Sequence, residues 1–550
     1  MQTMPNDTFS LWREEGCRQI PQNFNVFCQL VAQAKDCTQK GKYEAGAVYG
    51  EMAACYAAWK HCGLFVSQEL EQILLDIGKK VIPSQCHQRK NTSLPEEIKN
   101  ILHVATSVQS IGGHSQMIGR WIQQDSDRNH SLALTRQPQK QLPKFITDAV
   151  INSGGKIYKL NQTRGSIISW AKKLWEVAAA ADLVVLHIHN YDVIPMIAFA
   201  NQQQSPPIIF LDHADHAFWL GAGISDVVAN LRESGMQVSQ QRRGIDPQRN
   251  VLLPTILAPN YRQLSQAEAK KQLGIAEDHI VLLSVARSLK YKTINGISYA
   301  DAHVELLKKH EKSILIVVGA GNREDWGTAI DQTQGRIIVY PEREDTAVFY
   351  QAADIYVDSF PLVSTTSLLE AGSYGIPLVS RYPYSDAATI FGAKMPGLTG
   401  NLILAGNLEE YTAILSRLIE DQTLRLSLGQ LTSQKIAQTH LGNNWQRFLE
   451  NLYLRAATLP KITAPFKPID QMFLGEPDIL IPSIQGNNNF DLDYLIQSYM
   501  TIMPLEQRLY HWLKLVKKHG FHNQLGLFGQ FRLLLPEWFY VLYRSLRLKT

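Results

Sequence analysis

From about residue 98 to 455 the chain alternates short runs of Val, Ile and Leu with segments of helical period. ILHVATSVQSIGGHSQMIGRWIQQ, 101–124, predicts a buried strand, a Gly112-Gly113 turn and an amphipathic helix. HSLALT at 130–135, GKIYKLN at 155–161 and DLVVLHIHN at 182–190 predict further strands. Helices at 142–155, 165–181 and 194–203 fall between or after them. PPIIFLDHADHAFWLG, 206–221, is a strand running into a polar, aromatic loop, and VLLPTILAPN reads as a connection. A second series opens with Ser265 as a helix cap. Strands follow at 279–285, 313–318, 336–340, 355–357 and 376–379, with helices between them, and helices at 408–420 and 422–440 close the series. Such alternation predicts parallel sheets covered on both faces. The expected fold is α/β, two Rossmann-like domains facing a cleft, with an N-terminal helical region and a C-terminal helical tail. The expected boundaries are 1–96, 97–260, 261–455 and 456–550.

The first region is helical by pattern. GKYEAGAVYGEMAACYAAWKHCGLF, 41–65, carries alanines and aromatics at helical spacing, and with Phe24 to Ala34 it makes a helical hairpin. It resembles a tetratricopeptide-type pair loosely, but no second copy follows, so no repeat array is expected. A cap on the next domain is the plainer reading and a protein-partner module the sharper one.

Composition changes this picture little. At 550 residues the chain exceeds one core, and 45% apolar with 19% charged residues is ordinary for globular domains. A net charge of +4 does not argue for nucleic acid, which is not expected as a partner. No apolar run reaches the ~20 residues of a membrane span. The N-terminal stretch has acids where a leader would be apolar. A cytoplasmic location is expected. All six cysteines lie before residue 87 without a C-x-x-C pair, so free thiols are expected. Cys62 with Cys86, His61 and His87 is a remote zinc alternative.

Ligands of paired Rossmann-like domains sit at the C-terminal ends of the strands. Polar residues cluster there: Gly112-Gly113-His114, His189, Asp212 to His216, Arg287, Gly319 to Asn322, Tyr340 to Glu342, and Ser364 to Thr366. The turn Ser364-Thr365-Thr366 opens a helix, so its free N–H groups and hydroxyls make an anion site. Glu370, one helical turn on, suits sugar hydroxyls and not the phosphate. GAGN at 319–322 lacks the third Gly of a dinucleotide fingerprint. No Asp-x-Asp stands at a strand end, so no metal or other cofactor is expected.

With these residues the chain resembles a GT-B nucleotide-sugar glycosyltransferase over about 98–455, most closely the family-four, group 1, retaining enzymes. The resemblance implies that Arg287 and Lys292 in SVARSLKYKT hold the nucleotide diphosphate, with Lys290 as rival. It implies that Glu370 in EAG…GIPLV holds the ribose. Gly112 and Gly113 would approach the donor phosphate, Gly319 and Gly321 would line the nucleotide cleft, and Tyr340 and Glu342 would lie near the base. His213 would contact the sugar, Asp215 or His216 would orient it or act as base, and His114 would face the acceptor. The family's first glutamate would fall on Leu362 and is absent. DSFP…STTS…GIPLV is also similar to the O-GlcNAc transferase and bacterial protein N-glycosyltransferase group, whose enzymes invert. Retention and inversion both stay open.

The expected donor is a UDP- or GDP-linked hexose, and the acceptor a glycan, lipid-linked or protein hydroxyl. A non-catalytic GT-B scaffold and a sugar-nucleotide epimerase are the alternatives. The tail is basic from Arg508 on, and FRLLLPEWFYVLYRSLRLK interleaves aromatics with arginines. A helical pair on the protein body and peripheral contact with the inner membrane surface are its two readings.

Overall fold

The structure, a computed structural model, describes residues 8–83, 98–138, 141–163, 165–259, 262–294, 296–462, 471–486, 490–520, 529–536 and 539. Among these residues seven strands form the first sheet: β1 (Asn100–Ala105), β2 (Asn129–Leu134), β3 (Ile157–Lys159), β4 (Leu183–His187), β5 (Ile208–Asp212), β6 (Val227–Asn230) and β7 (Asn250–Leu252). All are parallel, in the order β3-β2-β1-β4-β5-β6-β7. Six parallel strands form the second: β8 (Ile280–Val285), β9 (Ser313–Val318), β10 (Ile337–Tyr340), β11 (Ile355–Val357), β12 (Leu378–Arg381) and β13 (Leu402–Ala405), in the order β10-β9-β8-β11-β12-β13. Each sheet reverses its order once, between β1 and β4 and between β8 and β11. A crevice forms beyond the strand ends at such a reversal. The two crevices face each other.

Two expectations change here. VLLPTILAPN is not wholly a connection, because Asn250–Leu252 pairs with β6 as the edge of the first sheet. Strand β6 and helix Glu233–Arg243 had no clear signal, since that helix is polar almost throughout. The Ser265 cap is present as a full capping box with Glu268.

The N-terminal helices α1 (Thr8–Gln39), α2 (Tyr43–Trp59) and α3 (Gln68–Val81) cap the first domain. Helix α2 is apolar on all sides and buried from Ala45 to Ala57, as an interior helix must be. Helix α3 lies so close to helix Ile194–Ala198 that a Cβ on Gly78 would fall 2.4 Å from the Ile197 carbonyl oxygen. These faces are used inside the protein, which favours the cap reading. Helix α1 crosses between the domains. Phe27 packs on Phe218 of the first, while Phe9 meets Tyr384 of the second.

The C-terminal part also crosses. Helix Gly442–Thr458 leaves the second domain and buries Trp445, Leu449, Leu452 and Tyr453 against the first sheet. Residues 471–486 run beneath α1, and Asp478 is fully buried between His61 and Arg242. Most of the 531–549 segment, Cys86 and His87 lie outside the described residues. Cys17, Cys37, Cys55 and Cys62 are free thiols. No described helix is long and apolar enough to cross a membrane.

Candidate active site

A cleft of about 1090 Å³ opens between the two sheets and is lined by both domains. Its second-domain wall begins with the turn after β11. The buried Asp358 carboxylate accepts the N–H groups of Ser359 (2.8 Å) and Ser364 (3.0 Å) and the Ser380 hydroxyl (3.2 Å). Burial pushes this carboxyl up to about 6, against those bonds and nearby Lys290. The turn so fixed opens helix Thr365–Ser373, whose first N–H groups have no intrahelical partner. Ser364, Thr365, Thr366 and Glu370 all line the cleft. Glu370 sits 3.4 Å from Arg120 of the first domain.

Arg287 stands at the end of β8, half exposed. It ion-pairs with Glu342 at 3.1 Å and donates across the cleft to the Ile111 carbonyl at 3.3 Å. Of the two lysines, Lys290 and not the expected Lys292 lines the cleft. Lys290 lines the cleft and donates to the Val363 carbonyl at 2.9 Å. Burial lowers its ammonium to about 8. Lys292, two residues on, is not a lining residue and donates to the Ser483 carbonyl at 2.8 Å. The short 3-10 turn Ser288–Lys290 decides which lysine faces inward.

Gly319 lines the cleft with φ +90°, and a Cβ there would meet the Ala286 carbonyl oxygen at 2.6 Å. Gly321 and Tyr340 are not among the lining residues. The Tyr340 ring packs edge-on against Phe349 at 4.9 Å, so Glu342 is the member of that stretch that reaches the cleft. Leu362 lines the cleft but also packs into an apolar cluster with Tyr384, Phe391, Ile479 and, from α1, Phe9 and Trp12. A carboxylate at this position would face that cluster and lose its hydration.

The first-domain wall starts at the Gly112-Gly113 turn before α4 (Gly113–Gln124). Gly112 has φ +126°, and a Cβ on Gly113 would fall 2.6 Å from the Thr366 hydroxyl oxygen across the cleft. His114 follows and stacks on His213, 4.4 Å between ring centroids. His213 is held by the Leu211 carbonyl at 3.4 Å, and burial lowers its imidazole to about 4. It is therefore neutral at pH 7.

Asp215 does not orient His213. Its carboxylate takes two bonds from Arg232, at 2.7 and 2.6 Å, and lies 3.3 Å from His216 Nδ1. Burial alone would raise its carboxyl. Arg232 and His216 more than offset this and hold it well below the usual range. A carboxylate so engaged is a poor base. His216, partly exposed, is the group it orients. Asp212, at the end of β5, is buried near Arg243 at 3.4 Å and pushed up to about 6 by burial. His189 lines the cleft, whereas His187 lies behind it, fully buried.

Sequence reasoning missed Arg232 and Arg120, because their partners lie far away in the chain. Among the described residues no cluster of three or more His, Cys, Asp or Glu is placed to hold a metal ion.

Residues 265–435, most of the second domain, match the family model described as glycosyl transferases group 1. A D-inositol 3-phosphate glycosyltransferase of Thermobifida fusca (strain YX) is 27% identical over 224 residues, 37% of this chain and 49% of that protein. An alpha-monoglucosyldiacylglycerol synthase of Acholeplasma laidlawii is 27% identical over 140 residues, 23% of this chain and 34% of that protein. The chain thus spans half or less of the length of these two curated relatives. The crystal structure of a glycosyltransferase from Rickettsia africae ESF-5 superposes with a TM-score of 0.51 at 12% identity, over 66% of this chain and 99% of that one.

Proposed function

With a glycosyl transferases group 1 domain over residues 265–435, set in a GT-B pair of Rossmann-like domains, we propose that the protein moves a hexose from a nucleoside diphosphate sugar to an acceptor hydroxyl. One observation carries this reading: a single cleft puts two cations and a helix N-terminus opposite a wall of neutral histidines. Arg287, Lys290 and the Ser364–Thr366 turn neutralise the diphosphate as it departs, so no metal is called for. Glu370 takes the ribose hydroxyls. His213, neutral, accepts a hydrogen bond from a sugar hydroxyl.

The reaction is proposed to retain configuration. Asp215 is occupied by Arg232, and His213 is a weak base, so the departing phosphate oxygen takes the acceptor proton. Inversion is favoured by one contact only, His216 on Asp215, which would make His216 the base. The acceptor is a glycan, lipid-linked or protein hydroxyl. Leu505, Leu509 and Leu513 form an exposed apolar stripe on helix Leu505–His519 beside Lys514 and Lys517, which supports peripheral contact with a lipid surface.

Thermal shifts with UDP-glucose, UDP-GlcNAc, GDP-mannose and UDP test the reading. Stabilisation by one donor and its free nucleotide is expected. No shift with any of them would leave a scaffold, and donor turnover without acceptor would leave an epimerase. The anomeric configuration of the product, read by NMR, then decides between retention and inversion.

A further inference from the structure

The polar helix Glu233–Arg243 carries a buried arginine at each end. Arg232, at its N-cap, takes the Asp215 carboxylate. Arg243, its last residue, is 0% exposed and is not a lining residue of the cleft. Its Nη2 donates to the Asp215 carbonyl and to the Ala217 carbonyl, both at 2.8 Å. Its Nη1 lies 3.4 Å from the Asp212 carboxylate. Two rings cover the guanidinium, with centroids 4.8 Å (Trp219) and 5.1 Å (Phe65) from its central carbon.

Taking a guanidinium fully out of water is costly, and the groups that offset the cost show what it holds. Asp212 supplies the opposite charge, and the two ring faces suit a cation. The remaining partners are two peptide carbonyls, and they belong to the residues on either side of His216. One nitrogen gives a hydrogen to each, so it staples a three-residue arc with His216 in the middle. The Ala217 N–H closes the same arc from inside by donating to the Ala214 carbonyl at 3.0 Å. With only two soft dihedrals per residue, an arc anchored at these points fixes the direction of the His216 Cα–Cβ bond.

His216 lines the cleft and is partly exposed there. Its Nδ1 lies 3.3 Å from the Asp215 carboxylate, which Arg232 holds in turn. The two arginines therefore act on different parts of one residue. Arg232 works on the ring through Asp215, and Arg243 works on the backbone that carries the ring. The support continues into the N-terminal helical region, since the Phe65 carbonyl accepts the Trp219 N–H at 3.2 Å.

We propose that Arg243 is a positioning residue, which sets the direction in which His216 enters the cleft by holding the Asp215 and Ala217 carbonyls. Arg243 itself touches no substrate. That His216 meets the donor sugar or the acceptor rests on the sugar-transfer reading, whereas the stapling of its backbone does not. A lysine at 243 is no substitute. Its ammonium keeps a charge near Asp212 but gives up the planar fork that serves the carboxylate and both carbonyls at once.

Arg243→Lys in the full chain tests this, with a urea midpoint to show that the variant is folded. Its kcat/KM for transfer should fall about 10–100-fold, with affinity for the free nucleotide unchanged. In a His216→Ala background the same substitution should add at most about twofold, because the residue it positions is gone. In the absence of any ligand, the NMR signal of His216 Cε1–H should move in Arg243→Lys, while that of His303, buried in the second domain, stays in place. Wild-type kcat/KM in folded Arg243→Lys, a parallel loss of nucleotide affinity, or a full additive loss without His216 would each overturn the positioning role. If Arg243→Lys does not fold, Arg243→Met combined with Asp212→Asn, which removes both members of the buried pair, takes its place in every comparison. If no donor turns over, the His216 signal decides alone: a shift upholds the stapling, and an unmoved signal in the folded variant overturns it.

Discussion

The two walls of the cleft solve different problems with different materials. The second-domain wall presents full charge and open backbone: Arg287 is half exposed, and the Ser364–Thr366 turn offers N–H groups. The first-domain wall presents neutral or already paired groups: His213 and His114, half-buried, and Asp215, buried under Arg232. A guanidinium stays charged in any surroundings, so its wall needs only correct placement. A histidine or an aspartate takes its protonation from its surroundings, so its wall needs a deep, dry support. The more demanding construction therefore lies in the first domain.

The contrast can be broken most severely at Arg232. Arg232→Met leaves Asp215 buried without its guanidinium and with only His216 beside it, and a loss of about 3–5 kcal/mol in folding stability is expected from urea titration. Arg287→Ala, on the other wall, should leave stability within about 0.5 kcal/mol. It should lower kcat about 10²–10³-fold, as loss of a charge-stabilising donor does. Equal stability losses in the two variants would erase the distinction between the walls.

Acid sharpens the contrast further. The folded-state pKa of His213, about 4, lies below the ordinary 6.5. Above pH 6.5 the ring is neutral whether folded or unfolded and contributes nothing to the pH dependence. Between 6.5 and 4 the unfolded chain takes up a proton that the folded chain refuses, so stability falls as pH falls. Wild type should lose up to about 3 kcal/mol relative to His213→Gln across this window, by urea midpoints at several pH values. Parallel curves for the two proteins would show that His213 is not held neutral.

Much of the second wall was legible because its signals are local. A β-branched run, then Arg287, or a run, then a hydroxyl-rich turn, places the side chain at a strand end without knowledge of any partner. Lys292 was preferred to its rival Lys290, whereas a single short turn after β8 puts Lys290 in the cleft. The first wall was legible only in outline. The loop from Asp212 to His216 was visible, but Arg232 is 17 positions from Asp215. His130, His103 and His187 come within hydrogen-bond distance in series only because β1 sits between β2 and β4, an order fixed by the crossovers. Within each strand such a histidine is one polar residue in an apolar run. Helix Gly442–Thr458 escaped for the same reason: its apolar face is plain, but not that it covers the other domain.

Helix α1 has a mechanical consequence. Its 32 residues make a rod of roughly 48 Å, pinned near one end by Phe9 and Trp12 on the second domain and along its length by Phe27, Leu30 and Val31 on the first. Residues 471–486 lie across it so closely that a Cβ on Gly16 would strike the Ile479 carbonyl oxygen. A helix fastened to two bodies resists their sliding or drawing apart, and Leu362, where the family's first glutamate would stand, packs in the same cluster as the Phe9 and Trp12 fastening.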